Sequence, residues 1–314
     1  MWLLSTDRAE LSFFASPELV PGGYAILSHV WDDVEMSFHD LVALCAECAL
    51  TRTNPRTRVP RKIRKACALA RRHGYHWLWA DTCCIDRSSS AELSEAVNAM
   101  FSYYARAAVC YAFLRDVPGG TLMHALSVDT AFWNSVWHTR GWTLQELVAP
   151  KLVLFVSADW TVLGTKAEHA TLLRRITRIP ESVLRFEQDL ADVDVAQRMS
   201  WAARRKTTRP EDEAYCLMGI FGVNMPTLYG EGRKAFYRLQ EEIMKTSTDT
   251  SLFLWGRVAT YDALRFRSRS DISYHDHYTP DSYLLAPSPE SFRYVADDLK
   301  FNPPQREEPK ARIT

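Results

Sequence analysis

The stretch RGWTLQEL, residues 140–147, sets an arginine, a tryptophan and a glutamate within seven positions. If it is helical, Trp142 and Glu146 are four residues apart and share a face. An indole beside a carboxylate can wall off water and hold charge at a chosen point. Two other stretches carry similar chemistry. YAILSHVW (24–31) ends in Ser28, His29 and Trp31, and WLWADTCCID (77–86) brings Asp81 and Cys83. Indoles surrounding a few polar groups suit a flat, partly charged ligand. Cys83 with His29 as base would make an activated thiol. Each residue also has a plainer reading. Glu146 can be a solvated helix carboxylate, and His29 a hydrogen-bonded core histidine. Asp81 can cap a turn, Cys83 and Cys84 can be two buried thiols, and Trp133, Trp137 and Trp142 can be core.

These residues need elements to position them. The apolar run 24–31 reads as a buried strand ending near Ser28 and His29. Residues 37–49 and 60–73 read as helices, the second lined by Ile63, Cys67 and Ala70 and stopped by Gly74. A second strand follows over 75–86, ending near Asp81. Ser89 or Ser90 caps the next helix, with Glu92 in its first turn. A third strand spans 108–117. A helical region over 129–150, interrupted at Gly141, leads to a fourth strand over 151–160. Strands alternating with helices predict an α/β fold with a parallel sheet covered on both faces. After residue 165 the pattern turns helical, in KAEHATLLRRITRI, DVAQRMSWAARRK, PEDEAYCLMGIFG and EGRKAFYRLQEEIMKTS. The expected organisation is an α/β core over 1–164, a helical extension over 165–256 packed on it, and an irregular segment over 257–314. In an open parallel sheet, ligands gather beyond the carboxyl ends of the strands. There Ser28, His29, Trp31, Asp81, Cys83, Arg140, Trp142 and Glu146 would meet.

The totals exclude several functions. Lys plus Arg equals Asp plus Glu, at 38 each, which argues against nucleic-acid binding driven by bulk charge. No apolar run of about 18 residues predicts a membrane span, and MWLLSTDRAELSFF lacks the basic start of a secretory signal. Seven cysteines, two of them adjacent, do not form a disulfide framework and fit a reducing cytoplasm. CAEC (45–48) has metal-ligand spacing but no second ligand pair, so it reads as two small residues one helical turn apart. MPTLYGEG (225–232) lacks the phosphate-loop pattern and reads as a helix connector. No metal or cofactor is expected.

Together, YAILSHVW, the stretch from WLWADTCCID through YAFLRDV, and SVWHTRGWTLQELVAP resemble the fungal HET (heterokaryon incompatibility) domain. RPEDEAYCLMGIFGVNMPTLYGEGRKAFYRLQEEIMKTSTDTSLFLWG resembles the segment that follows it in many such proteins, so the likeness covers about 24–256. One departure is SHVWDD, where the family pattern more often reads SHRWG. The resemblance implies non-self recognition ending in regulated cell death, a form of fungal innate immunity. It also implies partners through self-association or among other incompatibility or NLR-type proteins. A more distant likeness is to TIR domains, flavodoxin-like modules of which some hydrolyse NAD and others act as adaptors. Their W-C-x-x-E-L segment is similar to WTLQEL. That likeness implies NAD as a substrate and a catalytic role for Glu146; the other residues gathered at the strand ends would then bind the substrate, and the charge of Arg140 would help keep the carboxylate ionised against the effect of burial.

Overall fold

The computed structural model describes residues 1–119, 125–256 and 284–295, with only the backbone of 125–129. A seven-stranded sheet forms the centre, in the order β2-β1-β4-β3-β5-β6-β7. The strands are β1 (Trp2–Ser5), β2 (Leu11–Phe13), β3 (Ala25–His29), β4 (Trp77–Ala80), β5 (Val109–Phe113), β6 (Val153–Val156) and β7 (Val162–Thr165). Pairs β4/β3, β3/β5 and β5/β6 are parallel. Taken in chain order, the four parallel strands lie second, first, third, fourth, which is the flavodoxin-type arrangement. All residues of β3 and β5 are buried, as expected of strands covered on both faces.

The helices α1 (Phe38–Thr51), α2 (Arg61–Arg72), α3 (Ser90–Arg106), α4 (Ala125–Asn134) and α5 (Thr143–Val148) connect the strands. Their starts follow the sequence signals. Ser37 and Asp40 form a reciprocal capping box on α1, and Ser89 accepts from Glu92 N to start α3. The α2 face carrying Ile63, Ala66, Cys67 and Ala70 is buried.

The α/β expectation holds, with two additions at the sheet edges. The chain start is not a loop but the antiparallel hairpin β1–β2, paired to β4. β7 folds back antiparallel on β6. Short strands such as LSF and VLGT bury too little to stand out from sequence, because their partners supply the pairing.

The helical extension contains α6 (Ala170–Thr177), α7 (Glu181–Leu184), α8 (Val195–Ser200), α9 (Asp212–Tyr215), α10 (Met218–Phe221) and α11 (Lys234–Thr246). Two of the places where it meets the core rely on a glycine. Lys206 N donates to Thr139 O (2.7 Å) and Gly141 N to Lys206 O (2.9 Å), a strand-like clasp. Gly141 allows the clasp to close, since a Cβ there would lie 2.5 Å from Thr207 Cγ2. Gly219 of α10 similarly faces Phe101 of α3, where a Cβ would fall 2.1 Å from Phe101 Cβ. Most of the irregular segment expected over 257–314 lies outside the described residues. Its described part, 284–295, docks tightly: Gln240 Nε2 donates to Ala286 O (2.8 Å) and Ala286 N donates to Gln240 Oε1 (2.9 Å).

Candidate functional site

β3 ends between β4 and β5, where the strand order reverses, and there it presents Ser28 and His29. The two side chains leave the strand on opposite faces. They enter different surroundings.

Ser28 is fully buried. Its hydroxyl accepts from Trp137 Nε1 (2.8 Å) and donates to Glu146 Oε2. The tryptophan, serine and glutamate thus form one enclosed line of hydrogen bonds. Trp137 belongs to a single 3-10 turn, Val136–Thr139, and Glu146 to the short helix α5. Thr143 ties the two together by donating to Trp137 O. Every residue of α5 is buried, and Glu146 is 7% exposed. Burial, reinforced by the charge of Asp81, raises the Glu146 carboxyl to about 8; Ser28, Tyr104 and the charge of Arg205 act against that rise. The C-terminal end of α5 is held by buried Lys166, which donates to Leu147 O (3.0 Å) and Pro150 O (2.6 Å). Burial pushes the Lys166 ammonium down to about 7.

His29 enters a half-open polar ring. His29 Nε2 and Trp31 Nε1 contact the two carboxylate oxygens of Asp81 at 3.2 and 2.8 Å. The Arg87 guanidinium lies 4.2 Å over the Trp31 ring and donates to Asp81 O. Burial works to raise the Asp81 carboxyl, but the hydrogen bond and charge of His29, with Arg87 and Trp31, hold it below the usual range. Asp32, next in the loop, binds Lys62 Nζ (2.7 Å) and Arg115 Nη1 (2.8 Å), and Lys62 also binds Glu35.

Glu146, Ser28, His29, Trp31 and Asp81 therefore share one end of the sheet. Three expected members stand apart. The Trp142 indole is turned to Asp212 of α9, whose carboxyl it helps hold down against the effect of burial. It sits at the N-cap of α5 and turns toward the helical extension, so the indole beside the Glu146 line is that of Trp137. Arg140 reaches Thr208 Oγ1 (3.4 Å) and only its carbonyl points inward. The guanidinium whose charge reaches Glu146 is that of Arg205, which donates to Arg140 O and Thr143 Oγ1 (2.9 Å each). No local signal could have revealed Arg205, which comes 59 residues after Glu146 and arrives through the clasp. Cys83 is sealed in the core with its thiol toward Ala80 O, and is not exposed to act on a ligand. Among the described residues, no cluster of His, Cys, Asp and Glu could hold a metal ion.

Two parts of the chain match known protein families. Residues 24–125 match the family described as "Heterokaryon incompatibility protein (HET)". Residues 234–303 match a "Domain of unknown function (DUF8212)". The chain is also 44% identical over 229 residues to "Vegetative incompatibility protein HET-E-1" of Podospora anserina. That alignment covers 71% of this chain and 16% of the relative. No solved structure matches. The HET match includes Ser28, His29, Trp31, Asp81 and Cys83 and ends before Trp137 and Glu146.

Proposed function

We propose that this chain acts in heterokaryon incompatibility, triggering cell death after non-self recognition, and that it does so by cleaving NAD at Glu146. The observation that carries the second part is the enclosed pair of Ser28 and Glu146 at the strand-order switch point, bordered by an open ring of polar groups. In the reaction, water supplies a hydroxyl to the ribose carbon. The carbon–nitrogen bond breaks, its electron pair goes to nicotinamide, and the water's second proton is released. The transition state resembles an oxocarbenium ion. A carboxylate close to it stabilises that charge. Glu146 is largely the neutral acid near pH 7, and a cationic substrate beside it favours the carboxylate. Ser28 orients the carboxyl, and Trp137 fixes Ser28. Trp31, exposed and with Arg87 over its ring, offers a stacking surface beside Asp81.

A second reading is a non-catalytic module that signals by self-association. It is favoured by the completeness of the Trp137–Ser28–Glu146 line, which can serve as a neutral pin for α5.

Purified protein incubated with NAD at high concentration separates the two. Release of nicotinamide that drops at least a hundredfold in Glu146→Gln, with melting unchanged, supports cleavage. Toxicity on expression that persists in a folded Glu146→Gln protein, with no nicotinamide released by the unsubstituted chain, leaves the signalling module.

A further inference from the structure

The chain carries no net charge, yet its charges are unevenly spread. Residues 48–80 hold nine Lys or Arg and no Asp or Glu, and most of the nine fall on α2. The exposed positions of α2 are 61, 64, 65, 68, 71 and 72, a single stripe at helical spacing. Arg61, Arg64, Lys65, Arg71 and Arg72 fill five of them, and Ala68 leaves a small gap in the middle. Nearby cations are matched, Arg58 by Glu47 and Lys62 by Asp32 and Glu35. The five on the stripe have no acidic partner among the described residues. Arg61 is repelled by Arg64 and Lys65 at this spacing, and nothing in the chain offsets that.

The opposite pattern occurs in the helical extension. Residues 186–197 hold four acids, Glu187, Asp189, Asp192 and Asp194, and no Lys or Arg. The first three are exposed. Arg185, just before them, is drawn to Glu181 instead (3.8 Å). Burial and the charge of Asp249 raise the Asp194 carboxyl, so acids crowd together here. Phe186 opens the segment. It is 47% exposed and holds a left-handed backbone (φ 60°) that bulky residues rarely adopt.

The sheet keeps the two patches apart. Cys110 and Tyr111, neighbours on β5, point to opposite faces. Cys110 Sγ donates to Glu146 O of α5, while the Tyr111 hydroxyl meets His73 at the end of α2 (2.8 Å). Thus α2 and α5 cover opposite faces. The acidic segment is on the α5 side, since Lys166, which holds the end of α5, lies 4.4 Å over the Phe186 ring. No chain can bring its own basic stripe to its own acidic segment.

We propose that α2 of one copy docks on residues 186–194 of a second copy. The stripe meets the acids, and Phe186 enters the gap at Ala68, among cations that the ring attracts. The two surfaces differ, so the contact is head to tail, and each end copy keeps one surface free to add another. A nucleic acid or an anionic membrane would match the stripe alone and leave the acidic segment and Phe186 without a role. The contact goes beyond the self-association reading, which asks only that copies associate.

Sedimentation velocity of the full chain at rising concentration, in low and high salt, tests this. The mass is expected to rise past that of a dimer in low salt and to fall back in high salt, because exposed charges are screened. Arg64→Glu with Lys65→Glu, and separately Asp189→Lys with Asp192→Lys, are each expected to weaken association about tenfold or more, since like charges then face each other. All four positions are exposed, and melting is expected to stay unchanged. An equimolar mixture of the two variants pairs opposite charges again at both surfaces and is expected to associate as the unsubstituted chain does. Misfolded variants would not be rescued in this way. A chain that stays monomeric at every concentration overturns the proposal. So does a mixture that stays apart, or binding to anionic vesicles without self-association. Association that neither reversal changes also overturns it, yet leaves the self-association reading standing. NAD turnover plays no part in these measurements, so their outcome is independent of the role of Glu146.

Discussion

Ser28 and His29 are chain neighbours, yet they control charge in opposite ways. On the Ser28 side, the carboxyl of Glu146 is enclosed and its acid form is favoured by burial. On the His29 side, the carboxyl of Asp81 is reached by water and its ionised form is favoured by His29, Arg87 and Trp31. One strand end thus holds a carboxyl poised near neutrality beside one that stays charged. Two acids with separated ionisation are what acid–base chemistry on a single ligand needs.

The widest expected effect of that contrast is on the pH dependence of folding. Glu146 binds its proton more tightly folded than unfolded, so folded protein holds more protons between the ordinary value of 4.5 and about 8. Its contribution to stability is fully present below the unfolded value and is lost as pH rises through the folded one. Each unit of separation corresponds to about 1.4 kcal/mol. Denaturant unfolding from pH 5 to 8.5 should therefore show the unsubstituted protein losing about 3–4 kcal/mol relative to Glu146→Gln, on top of the opposite rise above neutrality that the depressed Lys166 gives both. An identical pH dependence in both proteins would break the comparison.

Ser28→Ala should come next. It leaves the Trp137 N–H and the Glu146 carboxyl without their shared partner, at a cost of about 1–3 kcal/mol. Chemical denaturation would read it directly, and a loss under about 0.5 kcal/mol would mean that the line contributes little.

Asp81→Asn should have the smallest effect on folding, less than about 1 kcal/mol, because its ion pairs are partly solvated. It should nonetheless loosen Trp31, whose indole N–H would then bond a neutral oxygen. A fluorescence anisotropy change confined to one tryptophan would sharpen the contrast, whereas a drop in stability as large as that of Ser28→Ala would erase it.

Much of the architecture was legible beforehand. The β3 and β5 sequences are continuous apolar runs, the mark of strands buried on both faces. Ser37 and Ser89 stand where helices must begin, and both cap. α9 and α10 read as one helix from PEDEAYCLMGIFG but are two short ones, separated at Cys216 and Leu217, and Gly222 ends the second in a left-handed turn (φ 67°). The β1–β2 hairpin was missed because its strands are three and four residues long and take their stability from β4.

The site divides along the same boundary. The sequence alone determined that a serine and a histidine close one strand, that an aspartate closes the next, and that Glu146 lies on a helix just before the last parallel strand. These are local facts, carried by apolar runs and the polar residues that end them. Which indole meets Ser28, and which arginine is felt by Glu146, were decided only by tertiary structure. Trp137 and Trp142 are both five or fewer residues from a helix end and look alike in sequence. The clasp of residues 139–141 onto 206 turns Trp142 toward Asp212 and leaves Trp137 facing Ser28. Side-chain direction depends on how a segment is rotated against its neighbours. That rotation is fixed by packing between residues far apart in the chain, which no short stretch of sequence records.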